Sequence, residues 1–453
     1  MSIKYIEKNE IPFLLNNLGE DFALIENPGY VFPNFEIVPL AKKAKKVNNL
    51  IAVVMDMDGT TTTTEVLCIH SLEHMIRQIT GRMTKDLWSG LDADKDYPHI
   101  IGNSTTKHVE YLIRTYRDAI DIESLKRAFI RAAVRTICFG KDPSRIDEVK
   151  NNLVSLGLGK LQFAAELESV IATGVGNFGQ CPAVQTLVNK NFQDFKIETE
   201  NDVVRAAIDI YYSRYHEILA RIADGDSNRI IKELELPTGK HLIEPMPGAL
   251  LLLLLLSGKL KGKVEFLRSW LLEHYDLTLE IETPVDSQLG TLQQLATRFE
   301  HLPVKIAIVT SSIKYEADIV LTEIFKVFRE QIKKMPLKES VIAELEEQFS
   351  DHNLFYDAVV TASDSSEIRL KPHRDLYSLA LHRLSVPTDK FDEVIGFEDS
   401  ESGNLAIRAA GVGMAVAVPF AQTTGHNLNS AAYIAKGGLP EVIFKKHLFL
   451  NHT

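Results

Sequence analysis

The sequence predicts an α/β protein whose parallel-sheet core is interrupted by a large all-helical domain. Three observations carry that expectation. Apolar runs of strand length occur at 50–55, 304–309 (with Lys305 near its start), 394–397 and 414–418, and a run without polar alternation marks a strand buried on both faces. Helical patterns separate the later runs, and strands alternating with helices imply parallel pairing through right-handed crossovers. Between the first run and the second lie about 180 residues with apolar side chains at three- and four-residue spacing and few strand-like runs.

The elements follow in order. Residues 1–47 form an N-terminal extension with apolar clusters at 11–15, 22–25 and 31–40, broken by Asn27-Pro28-Gly29 and Pro33-Asn34. They read as an extension that packs on something rather than a free tail. The strand at 50–55 ends in Asp56-Met57-Asp58-Gly59-Thr60, and four more threonines follow to Thr64. Residues 65–245 are expected to form the helical domain, with helices at 105–116, 122–138, 146–156 and 202–222. Pro245-Met246-Pro247-Gly248 punctuates the return.

Ala249 and the seven leucines 250–256 imitate a membrane segment. At 1.5 Å per residue they span about 12 Å against a hydrocarbon core of about 30 Å, so a buried helix is expected. Residues 246–284 read as a helical insertion that belongs clearly to neither domain, closed by Thr283-Pro284. Asp286 or Ser287 is placed to cap a helix running to Phe299. The core then resumes as 285–453, joined with 48–64. The strand at 304–309 ends in Thr310-Ser311-Ser312, residues 315–349 are helical, and 358–361 is a short strand. A helix at 375–384 precedes the strand 394–397, which ends in Glu398-Asp399-Ser400. A helix at 404–410 is closed by Gly411, and a last strand at 414–418 by Pro419.

Composition removes several classes. In 453 residues, 45% hydrophobic and 25% charged are ordinary globular values and exclude a largely disordered, collagen-like or multi-span membrane chain. Sixty-one acidic against 50 basic residues give a net charge of −11, whose field opposes nucleic acid. The basic run Lys42, Lys43, Lys45 and Lys46 reads as a solvated face. Three scattered cysteines supply neither a disulfide framework nor a thiolate zinc site, and the N-terminus lacks the pattern of a secretory signal. A cytoplasmic protein without nucleic-acid or membrane partners is expected.

In open α/β sheets ligands bind beyond the carboxyl ends of the strands. Three strand ends here carry Asp56 and Asp58, then Thr310, Ser311 and Ser312, then Glu398 and Asp399, with Lys371 between the last two. Carboxylates gathered at one edge repel each other unless a hard divalent cation joins them, and oxygen ligands favour magnesium. Beside such an ion a carboxylate can act as a phosphoryl acceptor, while a hydroxyl and a lysine stabilise the transferring oxygens.

These motifs, Asp56-Met-Asp-Gly-Thr60, Thr310-Ser-Ser312, Lys371-Pro372 and Gly396-Phe-Glu-Asp-Ser400, resemble in order the four motifs of the haloacid dehalogenase-like (HAD) superfamily. The nearest flavour is the phosphoglycolate phosphatase and β-phosphoglucomutase branch, with its helical cap inserted after the first motif. The resemblance spans about residues 48–64 and 285–420. It implies a Rossmann-like core under an enlarged cap. Asp56 would be the nucleophile, and Asp58 the general acid and then base, with its main-chain carbonyl on Mg2+. Thr310 and Ser311 would bind phosphate, and Lys371 would neutralise Asp56 and the phosphoryl group. Asp399 would ligate the ion, with Glu398 direct or through water. Asp58 argues for phosphate esters, because haloacid dehalogenases and phosphonate hydrolases of this fold lack that acid.

The chain also departs from the pattern. Thr63 stands where the branch carries an acid, Arg374 stands where it carries a proline, and the cap is about twice the usual size. A magnesium-dependent phosphatase of a small phosphorylated metabolite is therefore expected. A sugar-phosphate mutase of the β-phosphoglucomutase type and a non-catalytic interaction protein are the alternatives. The sequence does not set the oligomeric state. Arg77, Arg82, Lys107 and Arg114 are candidate substrate contacts that read more simply as solvated cap residues. His70 and His74, one helical turn apart, lack a third metal ligand. Gly174-Val-Gly-Asn-Phe-Gly179 matches a dinucleotide fingerprint by letters but follows a helix-like stretch, so a loop is expected.

Overall fold

The computed structural model describes residues 5–27, 31–101, 104–237, 241–275, 284–364, 367–420 and 425–450. Its strands are β1 (Asp21–Glu26), β2 (Phe35–Leu40), β3 (Ala52–Asp56), β4 (Thr62–Thr63), β5 (Glu244–Pro245), β6 (Lys305–Val309), β7 (Ala358–Val360), β8 (Val394–Glu398), β9 (Met414–Ala417) and β10 (Tyr433–Ile434). The chain divides into two compact units, residues 64–242 and residues 1–63 with 243–453.

The second of these holds a six-stranded sheet in the order β10-β9-β8-β3-β6-β7, every pair parallel. The α/β class with a parallel sheet is thus as the sequence predicts. All five residues of β3 and of β8 are buried, which accounts for their unbroken apolar sequences. The chain runs from β3 to β6 and β7, then crosses back to place β8 on the other side of β3. The strand order therefore reverses beside β3, and at such a reversal ligands of open α/β sheets bind beyond the carboxyl edge. Met55 is in register with Phe397 and Asp56 with Val309, so the residues that follow emerge at one level.

Ala249–Leu256 is a helix buried all round within this unit, packed beside helix Val285–His301. Among the described residues no helix is long and apolar enough to cross a membrane. The sequence's proposed break at Thr283 lies outside the described residues. Helix Val285–His301 starts at Pro284 without a side-chain cap, so neither Asp286 nor Ser287 serves as one. The single helix expected at 315–349 is two, Lys314–Lys333 and Glu339–Gln348. Pro336 lies between them and cannot continue the first. The sheet gains one strand that was not expected, β10. The N-terminal extension contains a helix, Ile11–Leu18, and the antiparallel hairpin β1–β2.

The unit 64–242 is helical. Glu65–Thr80, Ile122–Phe139 and Glu200–Ala223 pack against one another with buried aliphatic stripes. Glu200–Ala223 begins in a reciprocal capping box between Thr199 and Asp202. Pro143–Ser155 is capped by Asp142, with its proline at the first turn. Arg145 forms a buried ion pair with Asp209 and lies over the Tyr212 ring at 4.4 Å. The glycine-rich stretch is a short 3-10 turn, Val175–Gln180, and no strand leads into it.

Candidate active site

The carboxyl edge of β3 is the centre of the cluster. Asp56 is the last residue of that strand and is 6% exposed. Lys371 reaches it from the loop before helix Asp375–Arg383 and donates to its Oδ1. The same ammonium donates to Glu398 Oε1 at 2.6 Å and to the Val309 carbonyl at 3.2 Å. One cation thus ties the ends of β3, β6 and β8 together. Oxygens of Asp56, Glu398 and Asp399 lie within 4.8 Å of one another, and all three residues are buried.

Charge sets the electrostatics. Burial, and then the neighbouring Glu398 carboxylate, push the Asp56 carboxyl well above the usual range, with Lys371 pulling against them. Burial disfavours the Lys371 ammonium, but the charges of Asp56 and Glu398 outweigh it and hold the group above an ordinary lysine.

Asp58 sits at the turn beyond the strand. Its Oδ2 accepts from Thr310 Oγ1 at 3.4 Å and from Ser312 Oγ at 3.3 Å. Ser311 is exposed and makes no side-chain hydrogen bond among the described residues; Ser312 is the serine that faces the cluster. Gly59 allows the turn, with φ +83° and an added Cβ 2.6 Å from Asp399 Oδ2.

The threonines after Gly59 hold the loop in place. Thr60 donates to Asp399 Oδ1 at 3.4 Å, Thr61 to the Asp56 carbonyl at 2.7 Å and Thr62 to the Met57 carbonyl at 3.2 Å. Thr60, Thr61 and Thr62 are fully buried. Hydroxyls close behind the acids tie the loop to its own backbone.

Two positioning residues have no role assigned by the sequence, although Ser400 closes the fourth motif. Tyr377, fully buried, donates to Glu398 Oε1 at 3.2 Å, and its ring lies 5.2 Å from the Lys371 ammonium. Ser400 donates its backbone N–H (3.0 Å) and hydroxyl (2.8 Å) to Glu398 Oε2 while capping helix Glu401–Ala409. The spacing Lys371 to Tyr377, with the aromatic in the first turns of a helix, is the signal that could have found the tyrosine. Among the candidate cap contacts, Arg77 pairs with Glu73 at 3.3 Å and lies over Trp88, and Arg114 pairs with Glu200 at 3.5 Å.

No family model matches the chain, and no curated protein does. Solved structures are found. CbbY from Rhodobacter sphaeroides in complex with phosphate is 12% identical, covering 87% of this chain and 96% of that one, at a TM-score of 0.38. β-Phosphoglucomutase from Clostridium difficile is 13% identical over 88% and 96%, at 0.35. A HAD-superfamily hydrolase, subfamily IA, from Geobacter sulfurreducens is 12% identical over 87% and 95%, at 0.28. Superpositions this loose carry no argument, and the functional reading rests on the side chains described above.

Proposed function

We propose that the chain is a phosphoric monoester hydrolase of the HAD-like superfamily, acting on a small phosphorylated metabolite through an aspartyl-phosphate on Asp56. The observation that carries the reading is the convergence on Asp56 of groups from four separate motifs. Lys371 binds it, Glu398 and Asp399 adjoin it, and Asp58 is held two residues on by Thr310 and Ser312.

The donor set fits a hard divalent cation. Three buried carboxylates bring their oxygens together, and Lys371 is ion-paired to two of them, Asp56 and Glu398. Asp56, Asp399 and the Asp58 carbonyl would hold Mg2+, with Glu398 direct or through water. Such an ion would neutralise the charge of the bound phosphoryl group.

The chain's own residues account for the remaining steps. An Asp56 carboxylate oxygen attacks phosphorus, the P–O ester bond breaks, and Asp58 delivers its proton to the leaving oxygen. Asp58, now ionised, takes a proton from water. The water oxygen attacks the aspartyl-phosphate, and phosphate leaves with Asp56 restored. Thr310 and Lys371 orient the phosphoryl oxygens and offset their charge. We assign substrate choice to the helical unit.

A panel of phosphorylated metabolites assayed for phosphate release, with Mg2+ and with chelator, tests the reading. Release that needs Mg2+ and Asp56 supports it. Isomerisation of a sugar phosphate without release would move the assignment to a mutase. Neither activity across the panel would sink the enzyme reading.

A further inference from the structure

We propose that the N-terminal hairpin β1–β2 is a positioning element of the candidate site, holding the helix that follows Glu398 and Asp399 and bracing the loop that carries Lys371. The inference rests on the phosphatase reading for its functional consequence only.

Helix Glu401–Ala409 has nine residues, too few to be stable without packing partners. It is capped by Ser400, immediately after the two acids, so its placement sets theirs. Ala406, Ile407 and Ala410 pack with the sheet residues Ala52, Val54 and Val394. The hairpin covers another face: Ala23, Ile25 and Leu40 cluster with Ala409 and Leu405.

Arg408 locks this contact. It is 2% exposed, and its Nε and Nη2 donate to the Ala41 carbonyl at 3.0 and 2.6 Å. Nη2 also meets Asp21 Oδ2 at 2.6 Å, and Nη1 meets the Ser430 carbonyl at 3.1 Å. In return the Ala41 N–H donates to the Arg408 carbonyl at 2.9 Å. Asp21 opens β1 and pairs in register with Leu40 at the end of β2, so both ends of the hairpin converge on one guanidinium. Removing such partners leaves a buried charge without compensation.

A second contact leads to the other half of the site. Glu36 in β2 pairs with Arg369 at 3.2 Å. Arg369 lies two residues before Lys371, and its backbone N–H and Nε bind Asp375, the first residue of the next helix, at 3.0 and 3.3 Å. Being exposed, the Glu36–Arg369 pair is the weaker of the hairpin's two contacts with the site, and the buried Arg408 is the stronger. Displacing a reacting group by about 1 Å costs on the order of a hundredfold in rate.

The test uses the whole chain. Ile25→Asp sets a charge into the hairpin–helix contact, and Ile25→Leu is the conservative control. Hydrolysis of p-nitrophenyl phosphate with Mg2+ is measured beside amide hydrogen exchange. The proposal expects folded Ile25→Asp to lose about tenfold or more in kcat with KM changed less than about twofold. Exchange should quicken at 400–409 and 369–375 but not in β3 or β6, and Ile25→Leu should match wild type. Wild-type kcat and unchanged exchange at 400–409 in folded Ile25→Asp would overturn it. If Ile25→Asp does not fold, Asp21→Asn is read in the same way: quickened exchange at 400–409 supports the brace, and unchanged exchange overturns it. If the wild type hydrolyses nothing, the phosphatase reading fails by itself and the exchange result decides the brace.

Discussion

Replacing Lys371 by methionine keeps the length of the side chain and removes its charge. The ammonium is nearly enclosed, and it is the cation between Asp56 and Glu398. Removing one partner of a buried ionic cluster typically costs about 3–5 kcal/mol. Glu398 keeps Tyr377 and two donors from Ser400, so the damage falls mainly on Asp56. That places the expected loss at the low end, about 3 kcal/mol near neutral pH. Its pH dependence has a definite sign. Burial, then Glu398, already push Asp56 upward, and Lys371 opposes them. Without the lysine the folded-state value rises further above the unfolded one. A carboxyl so raised contributes stability at low pH and loses it as pH climbs through the folded value. The deficit of Lys371→Met should therefore grow as pH rises from the wild-type folded value of Asp56 towards the higher one of the variant. Urea unfolding in chelator at four pH values measures it. A deficit independent of pH, or none at pH 8, would refute the electrostatic account of the cluster.

The geometry of the core and the site dictates further outcomes. A Cβ at residue 403 would lie 1.7 Å from Glu398 Oε1, so Gly403→Ala must displace that carboxylate; phosphate release should fall about tenfold or more, and wild-type kcat would show that the placement of Glu398 is immaterial. Burial, then the Arg214 charge, hold His74 down to about 4. The unfolded chain therefore gains a proton there before the folded one does, and stability is lost as pH falls below about 6.5. Relative to His74→Gln, the wild type should lose about 2 kcal/mol between pH 7.5 and pH 5, and parallel stability curves would contradict the burial of a neutral imidazole. Leu253→Ala within the fully buried leucine helix should cost about 3–5 kcal/mol in chemical denaturation, whereas a loss under about 1 kcal/mol would mean the helix is not core.

Much of the sheet was legible because β3, β6, β8 and β9 are buried on both faces and so cannot alternate. The acids at their ends were legible for the same reason: polar groups that close an apolar run must lie at a strand end. The hairpin was less so. Phe22-Ala23-Leu24-Ile25 is apolar throughout, yet Ala23 and Ile25 are buried while Leu24 is 67% exposed. An apolar outer face hides the two-residue period. Tyr377 and the role of Ser400 were not legible because each acts through Glu398 rather than at the nucleophile, and a tyrosine in a helix reads as core. Ser311 and Ser312 are adjacent hydroxyls, and only the turn decides which one meets Asp58. The break at Pro336 is masked in the sequence by helical periodicity on both sides of it.

The central claim is that Asp56 accepts the phosphoryl group. Wild-type protein with Mg2+ and a turned-over phosphate ester, quenched in acid and digested, should yield the peptide containing Asp56 heavier by one phosphoryl group. The adduct should be lost on treatment with hydroxylamine, and Asp56→Asn should give neither adduct nor phosphate release. Release of phosphate at the wild-type rate by folded Asp56→Asn, or an adduct on another residue, would contradict the account.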